Sequence, residues 1–225
     1  MNMLNLNESK ATRPRVMTTR AALKAALRIA AKKDIRYYLN GVSIEADSEC
    51  TRLIATDGHS MLILQHQADN QVDGPVSLIV PGDIVRQVIA GPAKGLQRVM
   101  LDLCPEGAGI WSIPLLHLGD RTRLTFAQIA GKFPDWRRVV PAAVTGKAAQ
   151  LSPALLSAMN AAAADLGSKH TTVSHNGQSP AVIRPESHIS EQFIGLVMPM
   201  RDAAPNEWAA PTWCATPKNS QEQSQ

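Results

Sequence analysis

"VMTTRAALKAALRIAAKKDIRYYLNGVSIEAD", residues 16–47, sets the unit from which the rest of the chain is read. A short β-branched stretch comes first, and Thr18 or Thr19 can then cap a helix by accepting from an otherwise unpaired amide. Ala22, Leu23, Ala26, Leu27 and Ala30 recur at helical spacing and predict a narrow buried face. Arg20, Lys24 and Arg28 recur every four residues on another face, and Lys32 continues the row. After Asp34 the period changes to that of strands, and Asn40-Gly41 predicts a hairpin turn. "TRLIATDG" (51–58) and "HSMLILQHQ" (59–67) then supply a further strand pair about Asp57-Gly58. The order strand, helix, strand, strand, strand is the predicted unit.

The same order recurs twice. "VSLIVPGDIVRQVIAGPAKG" (76–95) reads as a strand, a Pro81-Gly82 break and a short helix ending at Gly91-Pro92, with strands in "LQRVMLDLC", "AGIWSIPLL" and "RTRLTFAQI". A third copy begins at "AAQLSPALLSAMNAAAADLG" (148–167). Ser152 stands at the N-cap, Pro153 at the first helical position and Gly167 just past the end. Three βαβββ units of about 50 residues each predict an α+β protein. Residues 15–141 hold two units and 142–202 a third. Residues 1–14 read as a disordered basic arm and 203–225, rich in Pro, Ala, Ser and Gln, as a disordered tail carrying Trp208 and Trp213.

Composition narrows the function classes. The chain has 225 residues, 44% hydrophobic but only 4% aromatic, so the core must rest on aliphatic side chains and methionine. No run approaches the ~18 apolar residues of a membrane span, and the N-terminus has no apolar stretch of signal-peptide length. A cytoplasmic protein with no membrane partner is expected. Cys50, Cys104 and Cys214 are too few and too dispersed for a metal cage or a disulfide framework. Net charge is +4, yet residues 1–33 carry eight cations against the single acid Glu8. Such a segment suits a polyanion, or a solvated helix face and a loose arm. Phosphate loops, dinucleotide fingerprints and nucleophile elbows are absent, and no cofactor is called for.

Three stretches are candidates for function. In Asp57-Gly58-His59 an acid and a base flank a glycine. With His66 they could form a hydrolytic or metal site, whereas Asp-Gly is above all a turn dipeptide. "GKFPDWRRVVP" (131–141) offers Arg137 and Arg138 beside Trp136 for nucleic acid, or a linker pinned by Phe133 and Trp136. "GLVMPMR" (195–201) places methionines around a proline on a last strand, which suits a groove for varied apolar side chains or an edge blunted by proline.

Taken together, "DIRYYLNG", "ATDGHSM", "GKFPDWRRVVP" and "VMPMR", in this order, resemble the bacterial β sliding clamp family, processivity subunits of DNA polymerase III. The resemblance is clearest over residues 15–141, which look like the family's middle domain. It implies the DNA-clamp fold, with helices on one face of curved antiparallel sheets, and a non-catalytic DNA replication or repair accessory protein. It implies a groove that binds short clamp-binding motifs of polymerases, the clamp loader or repair proteins. By motif, the groove would be walled by Leu39, Thr56, Gly58, His59, Met61, Pro134, Arg138, Val139, Leu196, Met198, Pro199, Met200 and Arg201. Ser60 stands where the family usually has an arginine. Arg20, Lys24, Arg28 and Lys32 would face double-stranded DNA without reading sequence, while the third helix has one charge, Asp165. A family ring has twelve units, so three-unit chains would need a tetramer. The alternatives are a regulator or decoy that binds the motifs without encircling DNA, and a metal-dependent hydrolase using Asp57, His59 and His66.

Overall fold

The computed structural model describes residues 13–90, 98–104, 109–114, 122–186, 189, 191–201, 209 and 211. Residues 1–12 of the arm, the Gly91-Pro92 break and nearly all of the tail, with both its tryptophans, lie outside them. The first unit runs β1 (Arg15–Thr19), α1 (Arg20–Ile29), β2 (Gly41–Ala46), β3 (Cys50–Thr56) and β4 (Ser60–Gln67). The second runs β5 (Val76–Pro81), α2 (Gly82–Ile89), β6 (Arg98–Leu103), β7 (Ile110–Pro114) and β8 (Arg123–Ala127). The third has α3 (Pro153–Asp165), β9 (Thr171–Ser174), β10 (Ala181–Pro185) and β11 (Gln192–Val197).

α1 starts where the sequence says it should. Thr19 is extended (φ −115°, ψ 150°) and its Oγ1 accepts from Ala22 N at 3.0 Å. Ala22, Leu23, Ala25, Ala26 and Ile29 are buried, and α1 contacts both α2 and α3 as well as β2, β3 and β4. Small alanines let it sit close to the sheet, and each fully buried Leu or Ile adds about 1.5–3 kcal/mol of burial free energy.

The sheets are built by exchange. β1 leaves its own unit to pair with β6, and β5 pairs with β2, so each of the first two units receives the other's first strand. One sheet has the order β1-β6-β7-β8; the other runs β5-β2-β3-β4-β11-β10-β9. The β4–β11 ladder, from Ser60 opposite Val197 to Gln65 opposite Gln192, fuses the third unit to the first. This larger sheet is apolar on both faces. Leu53, Ala55, Leu62 and Leu64 point into the helix-covered core. Ile54, Met61, Ile63 and Leu196 form a second cluster, against which Phe133, Trp136, Val139 and Val140 pack. That two-sided burial explains the unbroken apolar runs "LIA" and "MLIL" where a half-exposed strand would alternate. Among the described residues no helix is long and apolar enough to cross a membrane.

Three local expectations are corrected. Asn40-Gly41 is not a hairpin turn: such a turn needs positive φ at both residues, and Asn40 has φ −78°. Residues Tyr37–Leu39 instead form a 3-10 turn, and Asn40 closes the loop by exchanging 2.8 Å hydrogen bonds with the Asp34 backbone. Gly41 belongs to β2, where a Cβ would stand 2.5 Å from the Val80 carbonyl oxygen. Secondly, the basic row is shorter than the four-residue spacing suggests. The chain leaves the helix at Ala30 (ψ 141°) to let Ala31 N donate to Leu39 O at 3.0 Å, so Lys32 lies beyond α1. Thirdly, residues 144–152, directly before α3, form no strand. Residues 146–150 cross the ends of their own strands, with Gly146 N donating to His175 O (3.0 Å), Gly177 N to Lys147 O (2.9 Å) and Met200 N to Gln150 O (2.9 Å).

Candidate peptide-binding groove

The Asp57-Gly58-His59 turn is held by its own side chains. Asp57 Oδ1 accepts from His59 N (2.8 Å), Ser60 N (2.7 Å) and Ser60 Oγ (3.1 Å). Thr56 Oγ1 donates to Ser60 O at 2.6 Å and accepts from Gly58 N at 3.0 Å. Gly58 has φ +92°, and a Cβ there would lie 2.8 Å from Arg36 Nη2. Only glycine fits both the conformation and the approach. The turn is tied to the end of β11, because Met198 N donates to His59 O at 2.9 Å.

Arg36 reaches the turn from the loop after α1. Its guanidinium pairs with Asp34 at 2.8 Å and donates to Asp57 O at 3.4 Å. The Arg36 hydrogen bonds hold the Asp34 carboxyl down at about 2. The linker supplies the opposite wall. Asp135 caps the 3-10 turn Trp136–Arg138, Trp136 Nε1 donates to Glu45 Oε1 at 3.2 Å, and Arg137 lies 4.2 Å over the Trp136 ring while pairing with Glu45 at 2.8 Å. Arg137 and Trp136 are thereby engaged with the sheet, as a pinned linker requires.

Between these parts lies a cleft of ≈ 190 Å³. Nine of the thirteen residues assigned by motif line it: Leu39, Thr56, Gly58, His59, Met61, Pro134, Val139, Leu196 and Met198. Arg36 and Ser60 line it as well and were not assigned. Arg36 stands inside "DIRYYLNG", so its place was within reach of the sequence. Its proximity to Gly58 depends on the 3-10 turn that the hairpin reading missed. Arg138, Pro199, Met200 and Arg201 do not line the cleft; Arg138, Met200 and Arg201 are exposed beside it. Leu39, Met61 and Leu196 form a buried apolar floor, and Met198, 42% exposed, stands at the rim.

Larger hollows exist, but their walls differ. One of ≈ 390 Å³ is lined by Arg13, Arg15, Asp102 and Arg123, one of ≈ 380 Å³ by Glu45, Lys132, Asp135 and Arg137, and one of ≈ 330 Å³ by Arg15, His66, Asp69 and Arg98. All three have charged residues in their walls, with ion pairs across two of them (Arg15–Asp102 and Arg137–Glu45).

The hydrolytic set is not brought together. His66 lies seven residues beyond His59, about 23 Å away at strand rise. Its Nε2 is 3.1 Å from Thr18 Oγ1 and its Nδ1 3.2 Å from Gln67 O. Among the described residues no three His, Cys, Asp or Glu side chains could hold a metal ion.

The basic row on α1 is engaged in packing. Arg20 donates to the Ile89 carbonyl at the end of α2. Lys24 pairs with Asp165 of α3 at 2.8 Å, and Arg28 makes a two-pronged contact with the same carboxylate, one arm at 3.1 Å. Burial alone would raise the Asp165 carboxyl. Hydrogen bonds from Arg28 and Lys24, with their charges, outweigh it and hold the group below its ordinary value. Lys32 is exposed.

Comparison with known proteins agrees with this architecture. The family model for the central domain of the DNA polymerase III β subunit matches residues 20–135. The β sliding clamp of Vibrio cholerae is 35% identical over 115 residues, covering 49% of this chain and 28% of the relative. That of Escherichia coli K12 is 34% identical over 116 residues with the same shares. The matched stretch is thus under a third of the length of these relatives. A crystal structure of the Pseudomonas aeruginosa sliding clamp with ligand superposes with a TM-score of 0.66 at 16% identity, covering 89% of this chain and 69% of that one. The griselimycin-bound clamp from the same organism gives 0.63 at 18% identity, covering 88% and 68%. These structures share the fold through the third unit. With more than half of its length matched by the central-domain model, the chain belongs to the DNA polymerase III β-subunit, or sliding-clamp, family.

Proposed function

We propose that this chain is a non-catalytic clamp-like accessory protein of DNA replication or repair, whose groove binds short apolar clamp-binding motifs of polymerases, clamp loaders or repair proteins and tethers them at duplex DNA. The observation that carries it is convergence. Residues 36, 39, 56, 58–61, 134, 139, 196 and 198 come from four segments distant in sequence and meet in one apolar cleft. Its ≈ 190 Å³ is below the roughly 300–1,000 Å³ of small-molecule sites. One or two leucine or aromatic anchors fit that volume, with the exposed Arg138, Met200 and Arg201 as an adaptable rim. DNA contact would rest on Arg20, Lys24, Arg28 and Lys32 through counterion release. Twelve units would require four copies.

A second reading, a regulator that occupies clamp-binding motifs without encircling DNA, is favoured by one observation. Asp165 neutralises two of the three cations that α1 offers. Retention on closed circular DNA that is lost on linearisation would select the first reading over this one.

Fluorescence anisotropy with a labelled peptide carrying a Leu/Phe clamp-binding motif tests the groove. Saturable binding, weakened by Met200→Ala with Pro199→Ala and more strongly by Met198→Asp, is expected. No binding, or binding indifferent to all three substitutions, would overturn the proposal.

A further inference from the structure

The first two units show what a unit needs. The strand after each helix, β2 or β6, receives on its outer edge the strand that precedes the other unit's helix, β5 or β1. β9 is the strand after α3 and occupies the equivalent place, yet among the described residues no strand pairs with its outer edge; just past the strand's end, Gly146 N donates to His175 O (3.0 Å). The stretch before α3 is likewise not delivered to any sheet. Residues 142–148 are exposed, including Val144 at 42%.

This open edge is unlike the molecule's others. β5 is partly covered, since Ile129 N donates to Ile79 O at 2.9 Å. β8 starts at Arg123, and α2 of the same unit exposes Asp83, Arg86 and Gln87, as solvated surfaces do. β9 reads Thr-Thr-Val-Ser, with Thr172 and Val173 exposed and no charge, proline or bulge to discourage pairing. The exposed stripe of α3 continues that surface: Ser157, Asn160 and Ala164 are uncharged, and Asn160 Oδ1 accepts from Thr171 Oγ1 of β9 at 2.6 Å. The one charge of α3, Asp165, is turned to the other flank, onto Lys24 and Arg28.

We propose that this surface takes a second copy of the chain. Two third units form one two-unit domain across a two-fold axis. Each copy's residues 146–152 add to the β9 edge of the other, as β1 and β5 do within the chain, and the α3 stripes face each other. A closed two-fold interface of this kind uses the same patch twice and leaves neither edge open. The tail is the poorer candidate strand, because Pro205, Pro211 and Pro217 recur every six residues and remove ladder donors. The inference does not depend on peptide binding at the groove.

Light scattering and sedimentation of the full chain test it. Twice the 24.2 kDa chain mass is 48.4 kDa, and a species of that mass, or a multiple of it, is expected. Val173→Lys on β9 and Ala148→Pro in the donated stretch each alter an exposed residue. Each is expected to raise the dissociation constant about tenfold or more with the circular dichroism spectrum unchanged, whereas Thr125→Lys on β8 leaves the 48.4 kDa species intact. A monomer at every concentration overturns the proposal, as does a dimer that withstands both substitutions or is dissociated by Thr125→Lys.

Discussion

The groove and the basic row of α1 are both visible as patterns in the sequence, and folding treats them differently. The groove gathers residues from four segments into one apolar cleft whose floor is buried and whose rim is free. The row keeps its helical spacing, but Arg20, Lys24 and Arg28 are engaged with α2 and α3. The difference lies in what completes each pattern. An apolar wall needs only the other walls, which the same sheet supplies. A cation needs a counter-charge, and a single aspartate on a neighbouring helix can supply it before any ligand arrives.

The contrast can be broken most forcefully at the turn. Gly58→Val forces a β-branched residue to φ +92° against Arg36, at about 1–3 kcal/mol of strain. Thermal denaturation should show a lowered Tm, and peptide binding should be lost while the affinity for DNA in anisotropy is little altered. Met198→Asp comes next. Its side chain is 42% exposed, so stability should hold, while peptide affinity falls by about tenfold in calorimetry through the charge placed at an apolar rim.

Asp165→Asn sharpens the other side of the comparison. Releasing Lys24 and Arg28 should strengthen binding to duplex DNA and steepen its salt dependence by about one to two units of log–log slope. Tm should fall only slightly, because Lys24 and Arg28 are half-exposed and are rehydrated once the buried carboxylate is replaced by a neutral amide. Acid should act in the same direction. A carboxyl whose folded pKa is depressed stabilises the fold above its unfolded value, near about 4, and that contribution is lost as pH falls through the folded one. Tm followed from pH 6 down to about pH 3 should therefore show a small decline in the native chain that Asp165→Asn removes. The smallest effect is expected from Asp34→Asn, which frees Arg36 at an exposed pair. Peptide affinity should change by less than about threefold, and no transition near pH 2 should remain at that site.

Much of this architecture is legible in the amino-acid sequence. Thr19, Pro153 and Gly167 mark helix ends by local chemistry, and the βαβββ order follows from hydrophobic period. Asp57-Gly58 reads correctly as a turn because its hydrogen bonds are made within four residues. Asn40-Gly41 misleads because the same dipeptide serves a 3-10 turn, closed by an asparagine reaching six residues back to Asp34. The exchange of β1 and β5 leaves no trace in either strand's own sequence, since a ladder records partners and not origins. For the same reason, the row of cations could be counted but not seen to face Asp165, more than a hundred residues away.

The central claim, that the cleft between turn, linker and β11 receives an apolar peptide anchor, is tested most directly by methionine-methyl NMR during a titration with the clamp-binding peptide. Met61 lies at the floor and Met198 at the rim, whereas Met17 and Met100 line the hollow beside His66 and Met159 is on the buried face of α3. Saturable shifts are predicted at Met61 and Met198, with Met17, Met100 and Met159 unmoved. Shifts confined to Met17 and Met100, or none at any methionine at saturating peptide, would contradict the claim.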